Sequence, residues 1–380
     1  MKKRYIVVLG GVTVLIALII MEPHLIKTLY YNFPGIYDYT FYENHVIEPA
    51  EKSYPWPKAA EYNQVQVADS FLQQFDKYET EAFLIIKNKE LIYEKYWRGR
   101  QTDDISNSFS AAKSIVSLLI GAAIDDGHIQ SVEQPVADFV PEYKGRPAEQ
   151  VTIKNLLTMS SGLDWNESYI DPFSTTTKAY YGSDVNSLVT DLQLIEEPGV
   201  TFKYLSGNTQ LLGLILKSAT GKNLAQYAEE KLWQPLQAID IALWMIDEQG
   251  MERAYCCFNA TARDFARLGQ LVLDSGRWMG KQVIPESYIL AATEPAIFLT
   301  DEGEPVDFYG YQFWIVERQG MRIPYYRGIL GQYIFILPEY NAVVVRLGHE
   351  RGDKKQGDHH PQDVYVYLDA ALGILGQPGI

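Results

Sequence analysis

The pattern of hydrophobic and polar positions predicts strands towards both ends of the chain and helices in the middle. Residues 82–97 form two apolar runs around the polar Lys87-Asn88-Lys89, which predicts a hairpin. Further strands are predicted at 310–316, 333–337 and 342–347, followed by a closing helix over 364–375. Five intervening segments have helical periodicity, namely 153–159, 186–194, 209–219, 224–232 and 260–275.

This order of elements predicts an α/β (α+β) fold. Strands from about 61–125 and 305–375 would form an antiparallel sheet flanked by helices, and about 126–304 would form an all-helical subdomain. The stretch Gly162–Ser183 is polar and aromatic and is predicted as a long loop, a kind of segment that is often functional. The chain has 380 residues, 47% of them hydrophobic, which is enough for a core of this size.

The N-terminus has a different pattern. Lys2-Lys3-Arg4 precedes a run from Tyr5 to Met21 that contains no charged residue, and no small-residue cleavage site follows it. Residues 1–21 are therefore predicted to be an uncleaved signal anchor, a single membrane-spanning helix of the cytoplasmic (inner) membrane with the rest of the chain outside the cytoplasm. A cleaved secretion signal is the alternative. Residues 22–60 are rich in Tyr and Pro and are predicted as a connector.

The most informative local pattern is Ser110-Ala111-Ala112-Lys113 at the head of an apolar helix that ends at Asp125-Asp126-Gly127. Positions i and i+3 share one face of a helix, so the Lys113 amine can lie beside the Ser110 hydroxyl. Serine is a nucleophile only when a base removes its proton, and a lysine buried in an apolar wall becomes such a base. Alone the pattern is weak, because about one is expected by chance in a chain of this length.

Charge and cysteine content narrow the classes of function. The formal net charge is −15, with no basic run after the first four residues, so nucleic-acid binding is not expected. The two cysteines, Cys256 and Cys257, are adjacent and are expected to be two buried thiols rather than a bridge. Asp358-His359-His360 is expected to be a solvated loop rather than a metal site, and no metal or other cofactor is predicted.

A second candidate segment is Phe202-Lys203-Tyr204-Leu205-Ser206, which precedes a predicted helix. A tyrosine can carry a proton to a leaving group when a nearby cation stabilises its phenolate. The alternative for Tyr204 is a loop tyrosine packed on the core, and the chain contains 27 tyrosines.

Five segments in this order resemble the class C β-lactamase-related serine hydrolases, a superfamily with penicillin-binding DD-peptidases, esterases and 6-aminohexanoate-dimer hydrolases. The last group is the most similar, through the Gly-Gln-Tyr strand. The resemblance spans roughly residues 60–375 and implies that 61–375 form one domain with the serine β-lactamase/DD-peptidase-like fold. The matching segments are 109–117, 156–163, 202–213, 259–269 and 328–339.

The resemblance implies roles by position. Ser110 would be the acylated nucleophile, Lys113 would share its proton, and Tyr204 would serve as general acid or base. The backbone N–H groups of Ser110 and Ile329 would form the oxyanion hole.

The resemblance also implies a set of substrate-binding residues, and two of their positions depart from the family pattern. Ser206 stands where many relatives have Asn, and the strand at Gly328 lacks their Lys-Thr-Gly, with Arg327 as the nearest cation. Both departures argue against an efficient β-lactamase and favour a substrate without the carboxylate that this motif holds. The expected substrate-binding residues are Ser206, Gly328, Gln332, Trp165 and Tyr181.

These observations predict a membrane-anchored serine hydrolase that cleaves a small ester, amide or peptide-like substrate through a Ser110 acyl-enzyme. The alternative is a relative with little or no hydrolytic activity that binds cell-wall peptide, in the manner of penicillin-binding proteins. The sequence does not determine the substrate or the oligomeric state.

Overall fold

Strands from both ends of the chain form one six-stranded antiparallel sheet in the computed structural model, which describes residues 21–377. Across the sheet its strands follow the order 314–318, 321–328, 332–337, 342–348, 80–87 and 90–96. The strands are β1 (Asn44–Ile47), β2 (Thr80–Lys87), β3 (Glu90–Tyr96), β4 (Ser106–Asn107), β5 (Thr201–Phe202), β6 (Ala242–Met245), β7 (Phe258–Ala260), β8 (Arg277–Trp278), β9 (Lys281–Gln282), β10 (Leu299–Thr300), β11 (Trp314–Arg318), β12 (Met321–Gly328), β13 (Gln332–Leu337) and β14 (Ala342–Gly348).

Helices pack on both faces of this sheet and fill the segment between its two halves. A five-residue π-helical turn, Glu229–Trp233, follows α8, and single 3₁₀ turns connect several elements. The helices are α1 (His24–Tyr31), α2 (Asp69–Lys77), α3 (Ala112–Asp125), α4 (Ile153–Leu157), α5 (Thr175–Tyr181), α6 (Val185–Thr190), α7 (Ser206–Thr220), α8 (Leu224–Ala228), α9 (Ala262–Leu273), α10 (Glu286–Thr293) and α11 (Gln362–Leu375).

The sheet separates two hydrophobic cores because successive side chains of a strand point to opposite faces. Val343 and Val345 of β14 belong to the larger core, which contains α3, α7 and α9. Val344, between them, belongs to the smaller core with α2 and α11. Central strands buried on both faces read as continuous apolar runs, which is why the pattern of β2 and β14 was clear in the sequence.

The predicted hairpin, the helix after Ser110 and the two-part sheet are confirmed. Asn88 and Lys89 both have positive φ in the turn between β2 and β3, as a two-residue hairpin loop requires. Leu84 pairs with Val345, so the halves predicted from distant parts of the sequence do meet in one sheet. Gly127 has φ +76° just beyond α3, as expected of a helix stop.

The segment predicted as all-helical also contains strands, which corrects that expectation. β6 and β7 lie in it and form a four-stranded sheet with β1 and β4, in the order β1-β6-β7-β4. These strands are only three or four residues long, too short for a two-residue alternation to be recognised. Part of the predicted 162–183 loop is also helical, as α5.

The predicted connector, residues 22–60, contributes regular structure. It contains α1, and β1 pairs antiparallel with β6 through residues 44–47. The predicted anchor lies almost entirely outside the described residues and stays a prediction. None of the helices within residues 21–377 is long and apolar enough to cross a membrane.

Candidate active site

Ser110 lies on a single 3₁₀ turn, Phe109–Ala111, that leads directly into α3. The backbone N–H of Phe109 donates to Asn107 Oδ1 at 2.9 Å, and Phe109 has φ +44°, an uncommon value for a bulky residue. Phe109 and Ala111 are buried, whereas Ser110 is partly exposed. The turn is therefore held in an unfavourable backbone conformation that presents one hydroxyl, a feature that clusters at functional sites.

Lys113, one turn further along, is only 1% exposed. Its Nζ donates to the Tyr255 carbonyl oxygen at 2.8 Å, to Ser206 Oγ at 3.1 Å and to Ser110 Oγ at 3.4 Å. Burial lowers the pKa of Lys113 to about 8, and the nearby carboxylate of Glu167 opposes that effect. A fraction of the amine is thus neutral near pH 7 and can accept the Ser110 proton.

Tyr204 lies just before α7, with its ring centroid 5.2 Å from Lys113 Nζ and 5.4 Å from the ring of Trp314. Burial raises the pKa of Tyr204 above its ordinary value of 10, while a hydrogen bond with Ser110 lowers it. The phenol therefore keeps its proton at neutral pH. Of the two groups beside Ser110, Lys113 thus has the properties of a base and Tyr204 those of a proton donor.

Glu167 is a further polar residue of the site that the sequence analysis did not identify. Its carboxylate accepts from the Ser206 backbone N–H at 2.6 Å, from Ser206 Oγ at 2.7 Å and from the Tyr169 hydroxyl at 2.7 Å. Because the Ser206 hydroxyl proton points to Glu167, its oxygen is free to accept from Lys113. No local pattern marks Glu167, which meets Ser206 only through the fold.

The end of β12 lies against the Ser110 turn. A Cβ added to Gly328 would clash with the backbone carbonyl oxygen of Ser108, so the two chain segments approach as closely as glycine allows. Ile329 follows at once and lines the space above Ser110. Ile329 therefore lies near Ser110, and the oxyanion hole predicted from their two backbone N–H groups stays a prediction.

This close approach predicts that Gly328→Ala lowers both stability and activity. We expect it to cost about 1–3 kcal/mol of unfolding free energy, typical of overpacking. Since the shift moves Ile329 relative to Ser110, kcat/KM for p-nitrophenyl butyrate should fall at least about tenfold. Thermal unfolding and steady-state rates check this. Gly373→Ala, on α11 with no atom near the added Cβ, is the matched control. Unchanged rates in Gly328→Ala would contradict the close approach.

Two cavities of different character meet at Ser110, with Tyr169 lining both. The larger, about 300 Å³, is walled mainly by aromatic and aliphatic side chains. The smaller, about 160 Å³, contains Tyr204 and three cations. These cations are Arg327, Arg351 and Lys354.

Arg327 is 7% exposed, and it stacks on Trp314 with 3.1 Å between its guanidinium carbon and the ring centroid. It also donates to the His359 carbonyl oxygen at 2.8 Å. Burial and the two arginines lower the pKa of Lys354 to about 8. The smaller cavity is therefore electropositive although the Lys-Thr-Gly motif is missing.

Three of the five predicted substrate-binding residues line one of these cavities, and the other two do not. Ser206 and Tyr181 line the larger cavity, and Gly328 lines the smaller one. Trp165 and Gln332 are not among the residues of the described chain that line these two cavities. Trp165 Nε1 donates to Thr176 Oγ1 at 2.9 Å, and Gln332 Nε2 donates to the Gly348 carbonyl oxygen at 2.6 Å. Both residues support the walls of the site.

The adjacent cysteines differ from their expected state. Cys256 and Cys257 form a disulfide, so the expectation of two free thiols was wrong. Cys256 lines the larger cavity, next to the Tyr255 carbonyl that holds Lys113.

The predicted solvated loop at 358–360 is partly buried. His360 Nδ1 lies 2.7 Å from the Tyr325 hydroxyl, and the His359 ring stacks on Phe308. Among residues 21–377 there is no cluster of three or more His, Cys, Asp or Glu side chains that could hold a metal ion.

Comparison with known proteins places this geometry in a family. The family model described as Beta-lactamase matches residues 68–367. The 6-aminohexanoate-dimer hydrolase of Paenarthrobacter ureafaciens is 30% identical over 292 residues, which are 72% of this chain and 74% of that enzyme. The lovastatin esterase of Penicillium rubens is 24% identical over 199 residues, 47% of this chain and 48% of that enzyme.

Solved structures show the same fold. A protein from Bacillus anthracis, described as a candidate 6-aminohexanoate-dimer hydrolase, has a TM-score of 0.76 at 24% identity, covering 90% of this chain and 92% of its own. A family VIII carboxylesterase has a TM-score of 0.65 at 18% identity, covering 83% and 98%. At these identities the likeness shows the fold alone. The family match and the hydrolase relatives together establish that this chain belongs to the Beta-lactamase family and is a serine hydrolase.

Proposed function

We propose that this hydrolase cleaves an ester or amide through an acyl-enzyme on Ser110. The observation that carries the proposal is the contact of a buried lysine, its pKa lowered to about 8, with the hydroxyl of a partly exposed serine. A charged ammonium could not take the serine proton, whereas the neutral amine favoured by burial can. The relatives named as a hydrolase and an esterase act on bonds of this class.

In the acylation step Lys113 takes the proton of Ser110, and the Ser110 oxygen attacks the substrate carbonyl carbon. The negative charge that develops on the carbonyl oxygen is stabilised by the backbone N–H groups of Ser110 and Ile329, an arrangement worth roughly 3–4 kcal/mol for each donor. When the tetrahedral intermediate collapses, Tyr204 protonates the leaving alcohol or amine. The Lys113 ammonium then returns its proton to the Tyr204 phenolate.

In the second step a water molecule attacks the acyl carbon and gives up one proton to Lys113. As the bond between the acyl carbon and the Ser110 oxygen breaks, Lys113 passes this proton to the Ser110 oxygen. The acid product departs and the starting protonation states are restored. Ser206 and Glu167 position Lys113 throughout, because the Ser206 oxygen accepts from Nζ only while its own proton points to Glu167. The cycle uses only groups of this chain and water.

Intact-mass spectrometry of the full chain with a p-nitrophenyl alkylphosphonate tests the proposal. We expect one covalent adduct per chain, located on Ser110 by peptide mapping, with release of one equivalent of p-nitrophenol. Such reagents trap a serine that is activated for attack on a carbonyl. An adduct on another residue, or none, would contradict the assignment, and the second result would favour the non-hydrolytic binding alternative.

A further inference from the structure

The larger cavity beside Ser110 is built partly from a segment outside the region that the family model matches. Thr28, Leu29, Phe33 and Pro34 form one wall, whereas the match begins at residue 68. Residues of the 169–181 segment, among them Ile170, Pro172 and Tyr180, contribute the facing wall. This part of the site therefore lies outside the region that the family model matches.

Hydrogen bonds and ion pairs attach the N-terminal wall to the family domain. The Tyr181 hydroxyl donates to the Asn32 carbonyl oxygen at 3.0 Å, and His24 Nε2 lies 2.8 Å from the Pro172 carbonyl oxygen. Lys178 Nζ pairs with Glu22 Oε1 at 2.9 Å. These bonds hold α1 against α5, so the cavity exists before any ligand enters it.

The lining determines what this cavity can accept. None of its lining residues, all of which lie in the described part of the chain, is charged. An ammonium or carboxylate placed there would lose its hydration without gaining a partner, whereas an apolar chain would leave water favourably. The volume is about 300 Å³. Since a water-sized group takes about 30 Å³ in a liquid, the cavity has room for about ten such groups.

The position of Tyr204 determines which part of the substrate enters the larger cavity. Tyr204 lines the smaller cavity with Arg327, Arg351 and Lys354, and no residue of the N-terminal wall lines that cavity. The leaving group must lie next to its proton donor, and thus in the smaller, electropositive cavity. The acyl part, which stays on Ser110, is left with the apolar cavity.

Resting on the function proposed above, we infer that the substrate is an ester or amide of an uncharged, apolar acyl chain of six or more carbons. The acyl chain lies between α1 and α5, and the leaving group is polar. Leu29 and Ile170 line the same cavity and are 76% and 85% exposed, so its mouth has an apolar rim where the chain enters. An acyl chain with a terminal ammonium is excluded by the lack of a charged partner.

Chain length and charge of the acyl group test this inference directly. For the full chain, below the critical micelle concentration of each ester, kcat/KM should rise at least about tenfold from p-nitrophenyl butyrate to the octanoate, because each buried methylene contributes up to about fourfold. The value of kcat/KM for p-nitrophenyl hexanoate should be at least about thirtyfold higher than that for p-nitrophenyl 6-aminohexanoate, whose acyl chain has the same length and ends in an ammonium group. Equal rates along the series, or preference for the amino ester, would overturn the inference.

A matched pair of variants on α1 locates the effect. Thr28 lines the cavity and Ile26, 54% exposed, does not. Thr28→Trp should fill the cavity and lower the ratio of kcat/KM for the octanoate to kcat/KM for the butyrate at least about tenfold. Ile26→Trp should leave both rates unchanged. If the two variants had the same effect, the proposed location of the acyl chain would be refuted.

The phosphonate adduct separates the two proposals. A protein that is labelled on Ser110 but shows no dependence on acyl length retains the proposed hydrolase function and loses this inference. A protein without the adduct loses both. Butyrate turnover reports in the same assay that each variant is folded.

Discussion

Replacement of Ser110 by Ala is expected to lower kcat/KM for p-nitrophenyl butyrate by about 10⁴-fold or more, as removal of a catalytic nucleophile does in other serine hydrolases. The hydroxyl is the only atom lost, and Lys113 keeps its bonds to Ser206 and to the Tyr255 carbonyl. The fold should therefore survive. Stopped-flow and steady-state rates, with unfolding curves for both proteins, check this result.

The matched control is Ser117→Ala, the same substitution two turns further along α3. Ser117 Oγ lies 3.1 Å from the Tyr288 hydroxyl, away from the cavities, so its loss should affect stability and leave the rate within about threefold of wild type. If Ser110→Ala kept a rate within tenfold of wild type, another group would be the nucleophile.

Replacement of Lys113 by Met should lower kcat/KM by about 10³-fold, within the range expected for loss of a positioned general base. In the proposed mechanism the neutral amine of Lys113 is the active form. Because the pKa of Lys113 is about 8, the rate should rise with pH through that region and flatten above it. The residual activity of Lys113→Met should lack this rise. Lys217→Met, on α7, is the control for the substitution itself.

The free energy of unfolding should depend on pH, and comparison with Lys113→Met isolates the contribution of Lys113 to that dependence. The pKa of Lys113 is about 8 in the folded protein and 10.5 in the unfolded chain, so between these values the unfolded state binds one more proton. The stability of the wild type relative to Lys113→Met should therefore increase from pH 8 to pH 10.5, by up to about 3 kcal/mol. Urea unfolding at several pH values measures it. A pH-independent difference would mean that the lysine is not buried as a neutral amine.

The main sheet and the contact between Ser110 and Lys113 were predictable because their signals are local. Ser110 and Lys113 are one helical turn apart, and β2, β13 and β14 are apolar runs bounded by turn residues. β12 was missed, because Pro324 and Arg327 interrupt its apolar pattern. Arg327 is nevertheless buried, its charge stacked on Trp314, which no rule of alternation anticipates.

The rest of the site depends on contacts between distant residues. Glu167 meets Ser206 across 39 positions of sequence, and Thr28 faces Ser110 only because α1 is held against α5. Composition predicted residues 22–60 to be a connector, because Tyr and Pro are common in irregular segments. It could not show that this segment supplies a wall of the site.

The strand order has a consequence for how the enzyme is made. β2 can pair with β3 as soon as the hairpin is made, but its other neighbour, β14, leaves the ribosome only near the end of synthesis. Pairing of such distant segments is slow, and an unpaired hydrophobic strand is prone to associate with other chains. Synthesis that stops before β14 would therefore yield a chain with an open sheet edge, and nascent chains of this protein should depend on chaperones until translation is almost complete.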